Sequence, residues 1–271
     1  GRNIRYRSIQ VRPWILVKFL MVFRSSLLTI YKFLVISIRW LKEYSLFNSK
    51  IKPNQNVIIL RGASEVWSIK PILKIFDKNN RPYTIIQDDL LNNPSCKKAL
   101  VEENLDFFNI HKFISFYGLC RSFLLGFKIA KKVKGHMLNS TSDVLISKTQ
   151  MPKIVASELI FSCLKNMPQL IIHRQELENF LDSNVKSFLT LDMVDQWAAT
   201  QGLVCKIKGI ESYTLQNTSL DDIVYPTPVS TDYFLASTAS DKAKLDSFER
   251  TIVIGVPMYD HLRDLPSLKD K

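Results

Sequence analysis

From residue 56 onward the chain alternates two rhythms. Short apolar runs of four or five residues are followed by stretches whose apolar positions recur every three or four residues. Asn56-Val-Ile-Ile-Leu60 has the pattern of a buried strand, and Arg61-Gly62-Ala-Ser64 follows it. Glu65 to Lys78 carries Val66, Ile69, Ile72, Leu73 and Ile75 at helical spacing, and Tyr83-Thr-Ile-Ile-Gln87 is the next strand. Further on, the pattern predicts a short helix over Lys97–Asn104, a weak strand over Lys112–Phe116 and a helix over Arg121–Met137. It then predicts a strand at Asp143–Ser147, a helix at Pro152–Leu164 and a strand at Gln169–His173.

The clearest unit spans Phe188 to Thr218. Phe188-Leu-Thr-Leu-Asp192 is an apolar run ending in a carboxylate. Val194, Trp197, Ala198, Gln201, Val204, Cys205 and Lys208 fall on one helix face. Gly209 stands where that helix stops, since glycine takes the left-handed conformation cheaply. Tyr213–Gln216 is a second strand. Asp232–Ala236 and Thr251–Gly255 are two more, with a short helix near Asp241–Phe248. Strands alternating with helices predict an α/β fold: a Rossmann-like parallel sheet with helices on both faces. Ligands of such sheets sit beyond the carboxyl ends of the strands.

The first fifty residues differ. Pro13 to Tyr44 is apolar and aromatic, interrupted by Lys18, Arg24, Lys32, Arg39 and Lys42. On a helix at about 100° per residue, those five cations occupy about one third of the circumference. Trp14 and many aliphatic residues fill the remainder. No uncharged run reaches the roughly 18–20 residues a spanning helix needs. A cationic stripe on an otherwise apolar helix predicts a segment lying in the membrane interface, with Lys and Arg reaching the headgroups. A helix packed on the body, a pair broken at Ser25-Ser26, and a true span are the alternatives.

Charge sharpens this division. Residues 1–50 hold ten Lys or Arg and one acid, a net +9, out of +12 for the whole chain. Residues 51–271 are close to neutral at +3. The basic character therefore belongs to the N-terminal arm, which implies an anionic membrane surface as partner and argues against nucleic acid. The expected division is 1–50, a basic amphipathic membrane-interface helix, and 51–271, a Rossmann-like domain.

Candidate chemistry is sparse. Cys96, Cys120, Cys163 and Cys205 show no paired spacing and read as reduced thiols. The four histidines share no ligand spacing with one another or with cysteine, so no metal site is inferred. There is no glycine-rich phosphate loop and no G-x-S-x-G elbow. Polar residues at predicted strand ends remain: Arg61 with Gly62, Asp88, Arg174, Asp192, Gln216 and Asn217. Arg can hold a phosphate or carboxylate in two hydrogen bonds. Asp192 has two readings, a helix cap and a general base.

Several of these residues carry a resemblance. Gly209-Ile210, Leu215-Gln216-Asn217, Asp232-Tyr-Phe-Leu235 and Gly255-Val-Pro257-Met-Tyr-Asp260 resemble the end of the N-terminal domain of GT-B-type glycosyltransferases. The similar enzymes are capsule transferases of bacterial surface polysaccharides, CDP-glycerol glycerophosphotransferases and UDP-sugar 2-epimerases. Residues 187–262 carry the similarity, and Asn217-Thr218 departs from the family's His-Gly turn. The resemblance implies an acceptor-binding half. The nucleotide-sugar donor would bind through a missing or partner domain, and this chain would hold no cofactor of its own. Asp192 would be the catalytic base, with Arg61, Gly62, Arg174, Gln216 and Asn217 around a saccharide or lipid-linked acceptor. A non-catalytic membrane scaffold that recruits a polysaccharide-assembly partner is the alternative.

The two readings of Asp192 separate by mutation. Asn caps about as well as Asp. If Asp192 is a base, Asp192→Asn in the complete or reconstituted enzyme keeps its melting temperature and loses roughly 10²-fold or more in turnover. If it only caps, turnover stays near wild type.

Overall fold

The structure is a computed structural model. It describes residues 53–88, 94–140, 151–191, 196–216, 231–245 and 250–257, and scattered positions between 23 and 41; side chains at 94, 133–140 and 151–165 are outside the description. The predicted strand at 143–147 falls outside the described residues, and so do the predicted membrane contacts Trp14, Lys18, Lys32, Arg39 and Lys42.

Seven strands form one parallel sheet: β1 (Asn56–Leu60), β2 (Tyr83–Gln87), β3 (Phe107–Asn109), β4 (Ser187–Thr190), β5 (Glu211–Leu215), β6 (Tyr233–Ala236) and β7 (Thr251–Val253). Their order is β3-β2-β1-β4-β5-β6-β7, the Rossmann-like order extended by one strand. The helices are α1 (Ala63–Lys78), α2 (Pro94–Glu102), α3 (Phe116–Ser140), α4 (Met151–Phe180), α5 (Gln196–Lys208) and α6 (Ala239–Lys244). The α/β expectation and the parallel sheet both hold.

Alternation along the strands explains why both faces need helices. Val57 and Ile59 join Ile86, Leu177, Phe180, Phe188 and Val204 in one buried cluster. Ile58 and Leu60 join Val66, Ile69, Leu73, Ile85 and Leu100 in the other. A strand that is apolar at every position is stable only when covered on both sides. Each of these fully buried side chains contributes on the order of 1.5–3 kcal/mol relative to exposure.

Two predicted strands are corrected. Gln169–His173 lies inside the thirty-residue α4. Its run of Leu170, Ile171 and Ile172 favours strand locally, but Ile172, Leu177 and Phe180 face the core only when the segment is helical, so packing overrides propensity. Lys112–Phe116 is not a strand either. The strand lies upstream at Phe107–Asn109, and the Asn109 side chain accepts from the His111 N–H at 2.9 Å, which starts a 3₁₀ turn over Ile110–Phe113.

Helices α3 and α4 pack at unusually close range. A Cβ added to Gly126 would stand 2.4 Å from Cα of Pro168, so only glycine lets the two backbones approach this closely. Near the N-terminus, the described residues 23, 24, 27, 30, 31, 33–35, 37, 38 and 41 are helical. The Phe33 ring packs on Phe123 of α3 with centroids 4.4 Å apart. Among the described residues no helix is long and apolar enough to cross a membrane.

Gly126→Ala is expected to destabilise the protein. Overpacking costs about 1–3 kcal/mol, and the helix-propensity gain of up to about 1 kcal/mol does not cancel it, because the obstructing atoms are backbone. Urea unfolding measures this; an unchanged or raised midpoint would refute the close approach.

Candidate functional site

Strand order reverses direction between β1 and β4, and the crevice beyond their carboxyl ends is where such sheets place ligands. Arg61 leaves β1 there, half-buried. Its backbone N–H donates to Oε2 of Glu65 at 2.6 Å. Glu65 lies three positions after Gly62, the residue that opens α1, so its carboxylate reaches back over the first turn. Gly62 itself is extended, and an added Cβ would meet only Ser64 Oγ at 3.8 Å. This backbone therefore needs no glycine-only conformation at Gly62.

Burial pushes the Glu65 carboxyl above its ordinary value. The Arg61 N–H and guanidinium and the Gly62 N–H oppose that rise, and the nearby Asp88 carboxylate adds to it. Asp88 follows β2, and its backbone N–H donates to the Leu60 carbonyl at 3.0 Å, which ties it to the end of β1. Arg61, Glu65 and Asp88 thus form one charged group around the end of β1.

Across the switch point two helices complete the cluster. His173 of α4 is fully buried, with Nδ1 3.7 Å from Asp88 Oδ2. Gln201 Nε2 stands 3.3 Å from His173 Nε2. An amide nitrogen can only donate, so this contact selects the tautomer whose Nδ1–H faces Asp88. Trp197, one turn before Gln201, meets the imidazole edge-on at 5.4 Å. The arrangement holds the imidazole between a carboxylate and an amide, the placement a proton-relaying or ligand-ordering histidine needs.

A second buried pair lies beyond β3. His111 Nδ1 is 2.7 Å from Glu176 Oε1, and both side chains have no exposure. It joins the 3₁₀ turn to α4. Among the described residues no group of three or more His, Cys, Asp or Glu could hold a metal ion. Cys96, Cys120 and Cys205 are free thiols, and burial, helped by Asp232, pushes Cys205 up to about 12, so it is not a nucleophile.

The other expected residues separate. Gln216 stands at the carboxyl edge, but it is buried, with Oε1 accepting from the Ser237 N–H at 2.7 Å. It works as a strut between the ends of β5 and β6. Arg174 is corrected: it sits on the exposed side of α4, not at a strand end, and its Nε donates to Glu178 at 2.7 Å. Asp192 and Asn217 lie outside the described residues. Asp232 staples β5 to β6, accepting from the N–H and Oγ of Ser212 at 2.9 and 2.8 Å. Gly209, at φ +67, ends α5 as expected.

Glu65, His173 and Gln201 were not among the expected site residues. The Gly62–Glu65 spacing was a legible signal for the first. The helical spacing of Trp197 and Gln201 was visible too, but their partner His173 was hidden by the strand-like run around it. No protein-family model matches the chain, and no curated protein or solved structure matches it.

Glu65 supplies a pH test. Its folded carboxyl titrates above the ordinary 4.5, so folding disfavours ionisation; stability is greatest below that value and falls as pH rises through it towards the folded one. Gln is neutral throughout and can accept the same Arg61 N–H. Glu65→Gln is therefore expected to melt higher than wild type at pH 7, with the gap closing on acidification below 4.5. A gap independent of pH would refute the assignment.

Proposed function

We propose that this chain is a glycosyltransferase-like domain that binds the acceptor in the synthesis of a surface polysaccharide or glycolipid, at the cytoplasmic face of a membrane. The observation that carries the reading is the meeting of Arg61, Glu65 and Asp88 at the switch point of a Rossmann-like parallel sheet. Arg61 supplies a forked cation for an anionic acceptor group. A carboxylate shifted upward, such as Glu65, is better matched than an ordinary one to removing a hydroxyl proton near neutral pH. Asp192, one residue past Leu191, is the second candidate for that proton. In this reading the acceptor oxygen attacks the donor sugar, the carboxylate takes the hydroxyl proton, and the nucleotide leaves with the bonding electron pair. The sugar nucleotide would be held by a partner domain or subunit. The motifs from Gly209 to Asp260 support the GT-B-type assignment, and the +9 charge of the first fifty residues supports the membrane location.

One observation favours the scaffold reading. His173 and Asp88 are almost wholly buried, and side chains so placed more often hold helices together than touch substrate. Titration separates the two. Calorimetry with a panel of anionic oligosaccharides is expected to find a ligand, and Arg61→Gln should weaken its binding roughly tenfold, the worth of one charge-assisted hydrogen bond. No binding across the panel, or equal binding by Arg61→Gln, would favour the scaffold.

A further inference from the structure

The helical residues near the N-terminus present an apolar face to solvent. Phe23, Leu27, Ile30, Leu34, Ile38 and Leu41 follow one another at steps of four, three, four, four and three, and each is between 51% and 57% exposed. At about 100° per residue they share one stripe less than a quarter-turn wide. The stripe is not a core face left bare by poor packing, because this helix already has an inner side. Phe33, roughly a quarter-turn away, packs on Phe123, and Ser37 is buried. One side is tied to the body and the next is open.

Charge identifies what covers it. At about 100° per residue, Arg24 stands beside the stripe on the side away from Phe33, and it is exposed. The first fifty residues carry ten cations and one acid. A second copy of the chain would bring the same +9 to the contact and be repelled. An anionic bilayer meets both demands, taking the apolar stripe between its acyl chains and the flanking cations at its headgroups. The body extends the same chemistry. On α3, which holds Phe123, the exposed Tyr117, Arg121, Leu124 and Lys128 recur at steps of four, three and four, again mixing apolar and basic side chains.

We propose that the Phe23–Leu41 stripe is the membrane-inserting face of this protein, held against the body by Phe33 and Phe123 so that the domain docks on an anionic bilayer in one orientation. This deepens the membrane part of the reading above and is independent of its acceptor site. Saccharide titration can fail while vesicle binding succeeds, and the reverse.

Vesicle co-sedimentation of the full chain tests it, comparing phosphatidylcholine vesicles with and without phosphatidylglycerol. Wild type is expected to bind the anionic vesicles, and less at high salt. Leu27→Asp/Leu34→Asp should lose more than about tenfold in partitioning, since burying even one leucine is worth at least that factor. Leu27→Gln/Leu34→Gln, a milder pair, should lose binding in the same direction. Ile75→Asp/Val101→Asp, at equally exposed apolar positions on α1 and α2, should bind as wild type. Unchanged binding by both stripe variants, an equal loss in the α1/α2 control, or no binding by wild type would overturn the proposal. A lipid-independent dimer abolished by the stripe variants would overturn it in favour of a second copy.

Discussion

The close packing of α3 on α4 is the constraint on which the rest of this molecule depends. Where α3 passes Pro168 it carries a glycine, and the backbones meet at a distance no side chain would permit. That contact lies within the long crossover from β3 to β4, the connection that carries the chain across the switch point of the sheet. Right-handed crossovers of a parallel sheet must bring their helices back onto it. Here the returning helix brings His173 against Asp88 and Glu176 against His111. Its partner α3 brings Phe123 against Phe33. One pair of helices therefore positions both the polar cluster and the apolar stripe.

The polar groups of this crossover are unusual in their depth. His111 and His173 each face a carboxylate, as low-dielectric surroundings demand. Buried pairs of this kind contribute little net stability against well-packed apolar replacements, yet leaving one partner alone is strongly destabilising. Their effect is to specify one arrangement of α4 and α5 over the carboxyl edge. Arg61 differs in keeping some exposure, and Glu65 in sitting at the start of α1, where the helix dipole favours negative charge. The crevice thus grades from a half-buried arginine at the end of β1 to a fully buried histidine behind it.

Legibility in the sequence followed the range of the interactions involved. Strands β1, β2, β4 and β5 and helices α1 and α5 were readable because their apolar periods are local and their ends carry local signals, such as Gly209. Helix α4 was half misread. Leu170, Ile171 and Ile172 favour strand when taken alone, and only the neighbouring core reveals that Ile172, Leu177 and Phe180 share a buried side. Arg61 and Gln216 were found at strand ends because strand ends could be found. Arg174 was misplaced together with the false strand that carried it. Glu65 had a local signature in its spacing from Gly62, whereas His173 had none, since the carboxylate it faces lies on a different strand.

By itself the sequence determined that this is an α/β protein with a parallel sheet, that its body is nearly neutral, and that its charge gathers in an apolar N-terminal arm. These properties follow from composition and from periods of two and 3.6 residues, which need only neighbours along the chain. Tertiary structure alone decided that strand order reverses between β1 and β4, and that His111 meets Glu176 across sixty-five residues. It alone decided which side of the N-terminal helix is covered by Phe123 and which is left open. Such pairings depend on which elements pack together, and a side chain carries no mark of its distant partner until the chain has closed around both.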